Sequence, residues 1–287
     1  MTVAQRQVSD LNDLIYPRGH DALGVREMVF RKRAIGPYAP PEPPIPPTAV
    51  IGCIGSCFAQ EITRHLAAQG RAVAPVWLSE RWNTTFALRH FVESALDGTP
   101  FPDGFLGEVK PDTGEFTTGL AAAEAFILTF GLSVCWYENA TGRMVLDVAG
   151  GHGNAGIIRG LRTHAMRQTT VAENVAQIQA TLACIRRHKP NAPIVMTLSP
   201  IPLLLAATLT PVLPTNAISK ATLRVALHEV WAAAMENVYY WPSYEMVDWT
   251  SLHHGPVWGQ DGEDLRHLSS GTVGEIMTLF SDYYIAP

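Results

Sequence analysis

Ala49-Val50-Ile51-Gly52-Cys53-Ile54-Gly55-Ser56-Cys57-Phe58-Ala59 passes from an unbroken apolar run directly into a helical pattern. Ala49 to Ile54 has the composition of a buried strand. Phe58, Ile62, Leu66 and Gln69 then stand one helical turn apart, and Gly70 follows as a C-cap. Ser56 therefore falls on a tight strand-to-helix turn, at the carboxyl end of a buried strand. In open α/β sheets, ligands bind beyond that edge. The helix start adds unpaired N–H groups and a positive dipole end, both suited to a developing negative charge. A serine so placed also has a plainer use, as the helix N-cap. No capping box accompanies it, because Ala59 stands three residues on.

Outward from this stretch the same alternation repeats. Ala72 to Trp77 reads as a second strand, and Arg81 to Phe86 opens a helix through Leu96. Eight glycines and prolines between residues 97 and 119 mark a loop-rich insertion. Phe126 to Tyr137 is expected as one strand, turning at Asn139-Ala140-Thr141-Gly142 into a hairpin partner, Arg143 to Val148. Thr169 is expected to cap a long helix carrying Val171, Val175, Ile178, Leu182 and Ile185, which Lys189-Pro190 ends. Ala192 to Pro200 is the next strand and its exit, Ser219 begins another helix, and Tyr239 to Val247 reads as the last strand. A final helix is expected from Val273 to Tyr284. Strand and helix alternating over residues 48–287 predict one three-layer α/β/α domain with a mainly parallel, doubly wound sheet. In front of it, seven prolines between Pro37 and Pro47 exclude helix and central strand, so residues 1–47 are expected as a stiff extension lying on the domain. A partner-binding proline segment is the alternative.

Composition excludes several function classes. Hydrophobic residues make up 47% and charged residues 16%, a globular balance rather than a disordered one. A formal net charge of −5, with no basic run longer than Arg31-Lys32-Arg33, speaks against nucleic-acid binding. Cys53, Cys57, Cys135 and Cys184 show neither a disulfide framework nor zinc-ligand spacing. With no apolar h-region between Met1 and His20, these cysteines suggest a cytoplasmic protein. The apolar run Ile194 to Pro214 is broken by four prolines and reads as a strand and a covered loop, not a membrane span. Gly151-His152-Gly153-Asn154-Ala155-Gly156 matches GxGxxG literally, but no strong helix pattern follows it. Glu173, the acidic residue nearest the required offset, falls in a helix, so a glycine loop is read rather than a dinucleotide site.

A second chemical word lies near the carboxyl terminus, Asp264-Leu265-Arg266-His267-Leu268-Ser269, just before the final helix. A serine hydroxyl becomes a useful nucleophile when an imidazole takes its proton, and a carboxylate fixes that imidazole's tautomer. A spacing of three lets Asp264 reach back to His267 on one loop. The plain alternative is a solvated histidine beside an acid. Cys57, at a helix start that lowers a thiol pKa, is a rival nucleophile to Ser56, its other use being to pack under the turn. Trp249 and Trp258, between the last strand and His267, offer either an aromatic wall for a sugar or ordinary packing. His253 and His254 have no partner at metal-ligand spacing.

Gly55 to Ala59 followed by Gln60-Glu61-Ile62 resembles the GSCFA family, a branch of the SGNH (GDSL-like) esterase superfamily. The resemblance runs from about residue 49 to residue 269. It includes Trp82-Asn83-Thr84, Gly131-Leu132-Ser133 with Trp136-Tyr137, Thr197 to Pro202, Ser219 to Arg224, and Pro242-Ser243-Tyr244-Glu245. It implies a flavodoxin-like sheet, Ser56 as nucleophile, and His267 oriented by Asp264 as its base. The superfamily usually supplies an oxyanion asparagine in a Gly-x-Asn-Asp word. Here Gly131-Leu132-Ser133-Val134 has serine in that place, so the donor is either Ser133 or Asn83 on the loop after the second strand. The implied activity is ester hydrolysis through an acyl-serine, on an O-acylated carbohydrate or another small ester, without metal or cofactor. Transfer to a glycan hydroxyl by the same residues, and non-catalytic binding on an esterase scaffold, are the alternatives.

Overall fold

The structure is a computed structural model that describes residues 16, 26–36, 38–55, 57–107, 110–148, 154–208, 210–254, 257–259 and 265–287. A short helix, α1 (Arg26–Val29), runs on into a π-helical turn, Phe30–Ile35. The alternating part follows as β1 (Ile51–Gly55), α2 (Cys57–Ala68), β2 (Val73–Trp77), α3 (Thr85–Asp97), α4 (Gly114–Ala122) and β3 (Ala125–Phe130). Then come β4 (Val134–Glu138), β5 (Met144–Val145), α5 (Asn154–Gly160), β6 (His164–Gln168) and α6 (Val171–His188). The chain closes with β7 (Ile194–Leu198), α7 (Val212–Ala232), β8 (Val238–Trp241), α8 (Ser243–His253) and α9 (Ser270–Tyr284).

Five strands form one parallel sheet in the order β2-β1-β3-β7-β8. Alternate side chains of its strands feed two apolar layers, because successive residues of a strand point to opposite faces. Ile54, Phe126, Leu128, Met196 and Leu198 enter a layer with α3, α6 and α7, through Leu88, Phe91, Ile178, Leu182, Leu223 and Leu227. Ile51, Cys53, Ile127 and Val195 enter the other, with Phe58 and Ile62 of α2, Met246 of α8, and Ile276 and Phe280 of α9. This is the expected α/β/α sandwich, and its strand order is the flavodoxin-like one. The order reverses between β1 and β3, which makes the space beyond their carboxyl ends the topological switch point.

Several elements depart from the sequence reading. The single strand expected over Phe126 to Tyr137 is two strands in two sheets. Gly131 ends β3, and β4 joins a small antiparallel sheet ordered β5-β4-β6. The stretch Tyr239 to Val247 is strand only to Trp241, and Ser243 begins α8. Helix α7 starts at Val212 rather than Ser219, and Pro214 is tolerated because the first turn needs no N–H from it. Within residues 97–119, Gly114 and Gly119 lie in α4. The cap of α6 is Thr170 rather than Thr169, with Glu173 completing a capping box. The glycine run overlaps α5, and its residues 151–153 lie outside the described ones.

The proline-rich lead-in contacts the domain. Ile45 forms a parallel bridge with Ile285, and Tyr38 sits edge-on between Trp231 and Tyr240, with ring centroids 4.9 and 5.0 Å away. Among the described residues no helix is long and apolar enough to cross a membrane.

Candidate active site

The site is built from loops leaving the carboxyl ends of β1, β2, β3 and β7. At the end of β1, Gly55 has φ +147°, and a Cβ there would lie 1.8 Å from Thr129 Oγ1 on β3. Only glycine allows the strands to close so tightly, and the buried Thr129 hydroxyl donates to Ile54 O across 3.3 Å. Ser56 lies outside the described residues. Its neighbours place the turn: Gly55 is the last residue of β1 and Cys57 the first of α2. Cys57 is half-buried, whereas burial pushes the Cys53 thiol up to about 12, so Cys53 stays protonated at neutral pH.

After β2 the chain makes a 3₁₀ turn, Glu80–Trp82, and reaches Asn83. Asn83 does not cap α3. Thr84 does so, its hydroxyl accepting from Ala87 N at 3.1 Å. Asn83 is instead only 2% exposed, and its Nδ2 has no acceptor among the described residues. It faces Gly131, where a Cβ would come within 2.6 Å of Nδ2. The backbones are joined too, since Leu132 N donates to Asn83 O at 3.0 Å. A buried amide without an acceptor costs roughly 1–3 kcal/mol, so Asn83 carries a donor that the described fold does not use.

Ser133 is differently placed. It is fully buried, its N–H donates to Ser219 Oγ at 3.0 Å, and its hydroxyl lies 3.1 Å from the same atom. Its carbonyl accepts from both Thr169 N and Thr169 Oγ1 at 2.7 Å, and Gln168 Nε2 donates to its hydroxyl. These bonds tie the start of β4 to α7 and to the lead into α6.

His267 stands on a short antiparallel pairing. Gly259 N donates to His267 O, and Ser269 N to Val257 O, each at 2.9 Å, around a bridge between Trp258 and Leu268. Ser269 then caps α9 through Thr272 N at 3.2 Å, which fixes where the loop ends. Asp264 lies outside the described residues. Next to His267, the Arg266 guanidinium pairs with Glu80, three residues before Asn83, and so ties the histidine loop to the exit of β2. The two loop tryptophans are used locally: Trp249 packs edge-on against Phe30, and Trp258 Nε1 donates to Ser251 Oγ at 3.2 Å.

Beneath these loops lies Lys220 of α7, a residue the sequence reading did not single out. It is 2% exposed, and its Nζ donates to Gly131 O at 3.1 Å, Ser199 O at 2.8 Å and Ile201 O at 2.7 Å. Burial lowers its pKa to about 7; Cys57 and Glu80 oppose that shift electrostatically, and Arg266 adds to it. Cys57 next to Ser56, Glu80 three residues before Asn83, and Arg266 next to His267 thus all act electrostatically on one ammonium. A signal was present in the sequence, because Lys220 keeps helical register with Leu223 and Leu227, both fully buried. Beside the 3₁₀ turn a cavity of about 290 Å³ is lined by Leu78, Ser79, Trp82, Phe91, Asp112, Glu115 and Phe116.

No match is found among curated proteins. Among solved structures, the chain is similar to a carbohydrate esterase family 2 enzyme with a carbohydrate-binding domain from Corynascus thermopiles (Myceliophthora fergusii), at 14% identity and a TM-score of 0.42. It is also similar to an acetyl xylan esterase from the rumen bacterium Butyrivibrio proteoclasticus, at 13% identity and a TM-score of 0.37. These likenesses cover 85% and 82% of this chain but only 66% and 63% of the other two, so the chain spans less than two thirds of either. A sequence profile of the GSCFA family matches residues 77–280, beginning after the Gly55–Ala59 turn and taking in the stretches around Asn83, Gly131, Lys220 and His267. With well over half of its length inside that match, the chain belongs to the GSCFA family.

Proposed function

We propose that this protein is a serine-dependent ester hydrolase of the SGNH type that works through an acyl-serine intermediate. The observation that carries the reading is the Asn83 side-chain amide, buried, without an acceptor among the described residues and packed on Gly131 just past the end of β3. Such a donor stabilises an anion that exists only during reaction.

In this reading Ser56 Oγ attacks the ester carbonyl carbon while His267 accepts the hydroxyl proton. Asp264 holds the imidazole's tautomer and orientation. Asn83 Nδ2 donates to the carbonyl oxygen as it becomes an oxyanion, with Gly131 giving the room. Ser133 is a weaker candidate for that donation, because its hydroxyl is engaged with Ser219 and Gln168. His267 returns the proton to the departing alcohol. Water then attacks the acyl-serine and releases the acid, with the proton again passing through His267. The cavity beside Trp82 combines aromatic rings with the Asp112 and Glu115 carboxylates and has no basic residue among its described lining. That chemistry suits a neutral, hydroxyl-rich alcohol, which favours an O-acylated carbohydrate as substrate.

The experiment is a chromogenic acetyl-ester assay, with and without a sugar acceptor, on the wild type and on Ser56→Ala, His267→Ala and Cys57→Ala. Acid release without acceptor, lost in the first two variants and kept in the third, is the expected result. Turnover only with acceptor makes the protein a transferase. Stoichiometric ligand binding without turnover makes it a binding protein, and activity surviving in Ser56→Ala but not in Cys57→Ala makes it a thiol enzyme.

A further inference from the structure

We propose that Lys220 is the positioning residue of this site, holding Gly131 and with it Asn83 in the geometry that receives the oxyanion. This inference rests on the reading of function above.

The geometry is specific. A side chain from α7 crosses beneath the sheet's carboxyl edge and ends on three carbonyls, Gly131 after β3 and Ser199 and Ile201 after β7. Three acceptors need three N–H donors, which an ammonium has and a neutral amine lacks. Gly131 is also the residue against which the Asn83 amide is packed. A shift at Gly131 therefore changes the direction of Nδ2, and a misplacement of about 1 Å at such a site costs on the order of 10²-fold in rate. A lysine this deeply buried is far more costly to the fold than an apolar residue of the same length, which a purely structural tie between two loops does not require.

Three groups act electrostatically on Lys220 from separate segments: Cys57 on α2, Glu80 after β2, and Arg266 beside His267. Desolvation brings the ammonium's pKa to about 7, so near neutrality its protonation responds to small changes in those neighbours. Above that pH one donor is lost and the clamp on Gly131 loosens.

The test uses the full chain labelled with ¹⁵N. Wild-type resonances of the Asn83 side-chain amide and the Gly131 backbone amide should move between pH 6 and pH 9 with a midpoint near 7. In Lys220→Met that movement should vanish, while shifts caused by other groups remain. In the ester assay Lys220→Met should lower kcat about 10- to 100-fold with KM within about threefold, and should abolish the fall in kcat on the alkaline side. Should Lys220→Met fail to fold, Lys220→Gln takes its place with the same expected outcomes. Wild-type Asn83 and Gly131 signals that do not titrate, or an identical titration in the variant, overturn the proposal. Failure of the wild type to turn over any ester overturns the functional reading alone, since the titration needs no substrate.

Discussion

The Asn83 amide is costly to the folded protein and useful only if something else accepts its hydrogen bond. An ordinary buried asparagine spends both ends of its amide, as Asn174 does, donating to Thr169 Oγ1 at 2.8 Å while accepting from Thr85 Oγ1 at 2.8 Å. Asn83 spends no donor. Asn83→Ala should therefore lower kcat by roughly 10²–10³-fold, leave KM within about threefold, and keep or raise the melting temperature. Steady-state kinetics with a melting curve checks this. A merely structural asparagine would show the reverse, with a lowered melting temperature and unchanged kcat. Gly55 illustrates the same scale from the other side: a single Cβ there meets Thr129, so glycine is what lets the end of β1 sit against β3.

At the scale of elements, what positions the site is where each helix and loop stops. Thr84 begins α3 directly after Asn83, Ser269 begins α9 two residues after His267, and Thr170 begins α6 after the Ser133 network. In the α6 cap, Glu173 is held down to about 2, first by its bond with Arg167 and then by the Thr170 N–H. The sign follows from linkage. A carboxyl whose folded pKa lies below its unfolded value near 4.5 stabilises the fold above that pH, and the benefit disappears as pH falls toward 2. The pair is at the surface, with Glu173 34% exposed, so Glu173→Gln should cost about 1 kcal/mol or less at pH 7. Chemical denaturation from pH 7 down to pH 2 should show the two proteins converging. A difference that persists to pH 2 would mean that packing, not charge, carries the effect.

Over the whole molecule, the candidate site lies at the carboxyl edge of the parallel sheet and part of the bracing lies elsewhere. Tyr38, from the proline-rich lead-in, packs on Trp231 and Tyr240 by β8, and Arg224 Nη2 donates to its hydroxyl at 2.6 Å. The strand order puts β8 at the far side of the sheet from the β1–β3 crevice. Tyr38→Ala should thus destabilise the protein by about 2–4 kcal/mol, since it removes a large aromatic contact, while leaving KM for an ester unchanged. A thermal melt beside a kinetic series tests the separation. A raised KM with an unchanged melting temperature would show that the lead-in takes part in substrate binding.

What the sequence determined by itself was the periodic content. Apolar runs and helical spacing located β1, α2, β2, β7, α6 and α9 to within a few residues, and their alternation dictated a parallel three-layer sandwich. These signals are local, and burial on both faces of a parallel strand writes itself into consecutive residues. Where the apolar run continued through a change of structure, the signal failed, as at Gly131 between β3 and β4 and at Pro242 between β8 and α8. Of the candidate site the sequence offered residue types only, a serine expected at a strand exit and a histidine before the last helix. Its wiring was not legible. That Asn83 faces Gly131, that Ser133 is occupied by Ser219, that Arg266 reaches Glu80, and that Lys220 clamps β3 to β7 were decided by tertiary structure alone. The physical reason is separation: these partners lie from 19 to 186 residues apart, and they meet only because the sheet gathers its strand exits at one edge. No local periodicity records which donor such a gathering leaves unsatisfied.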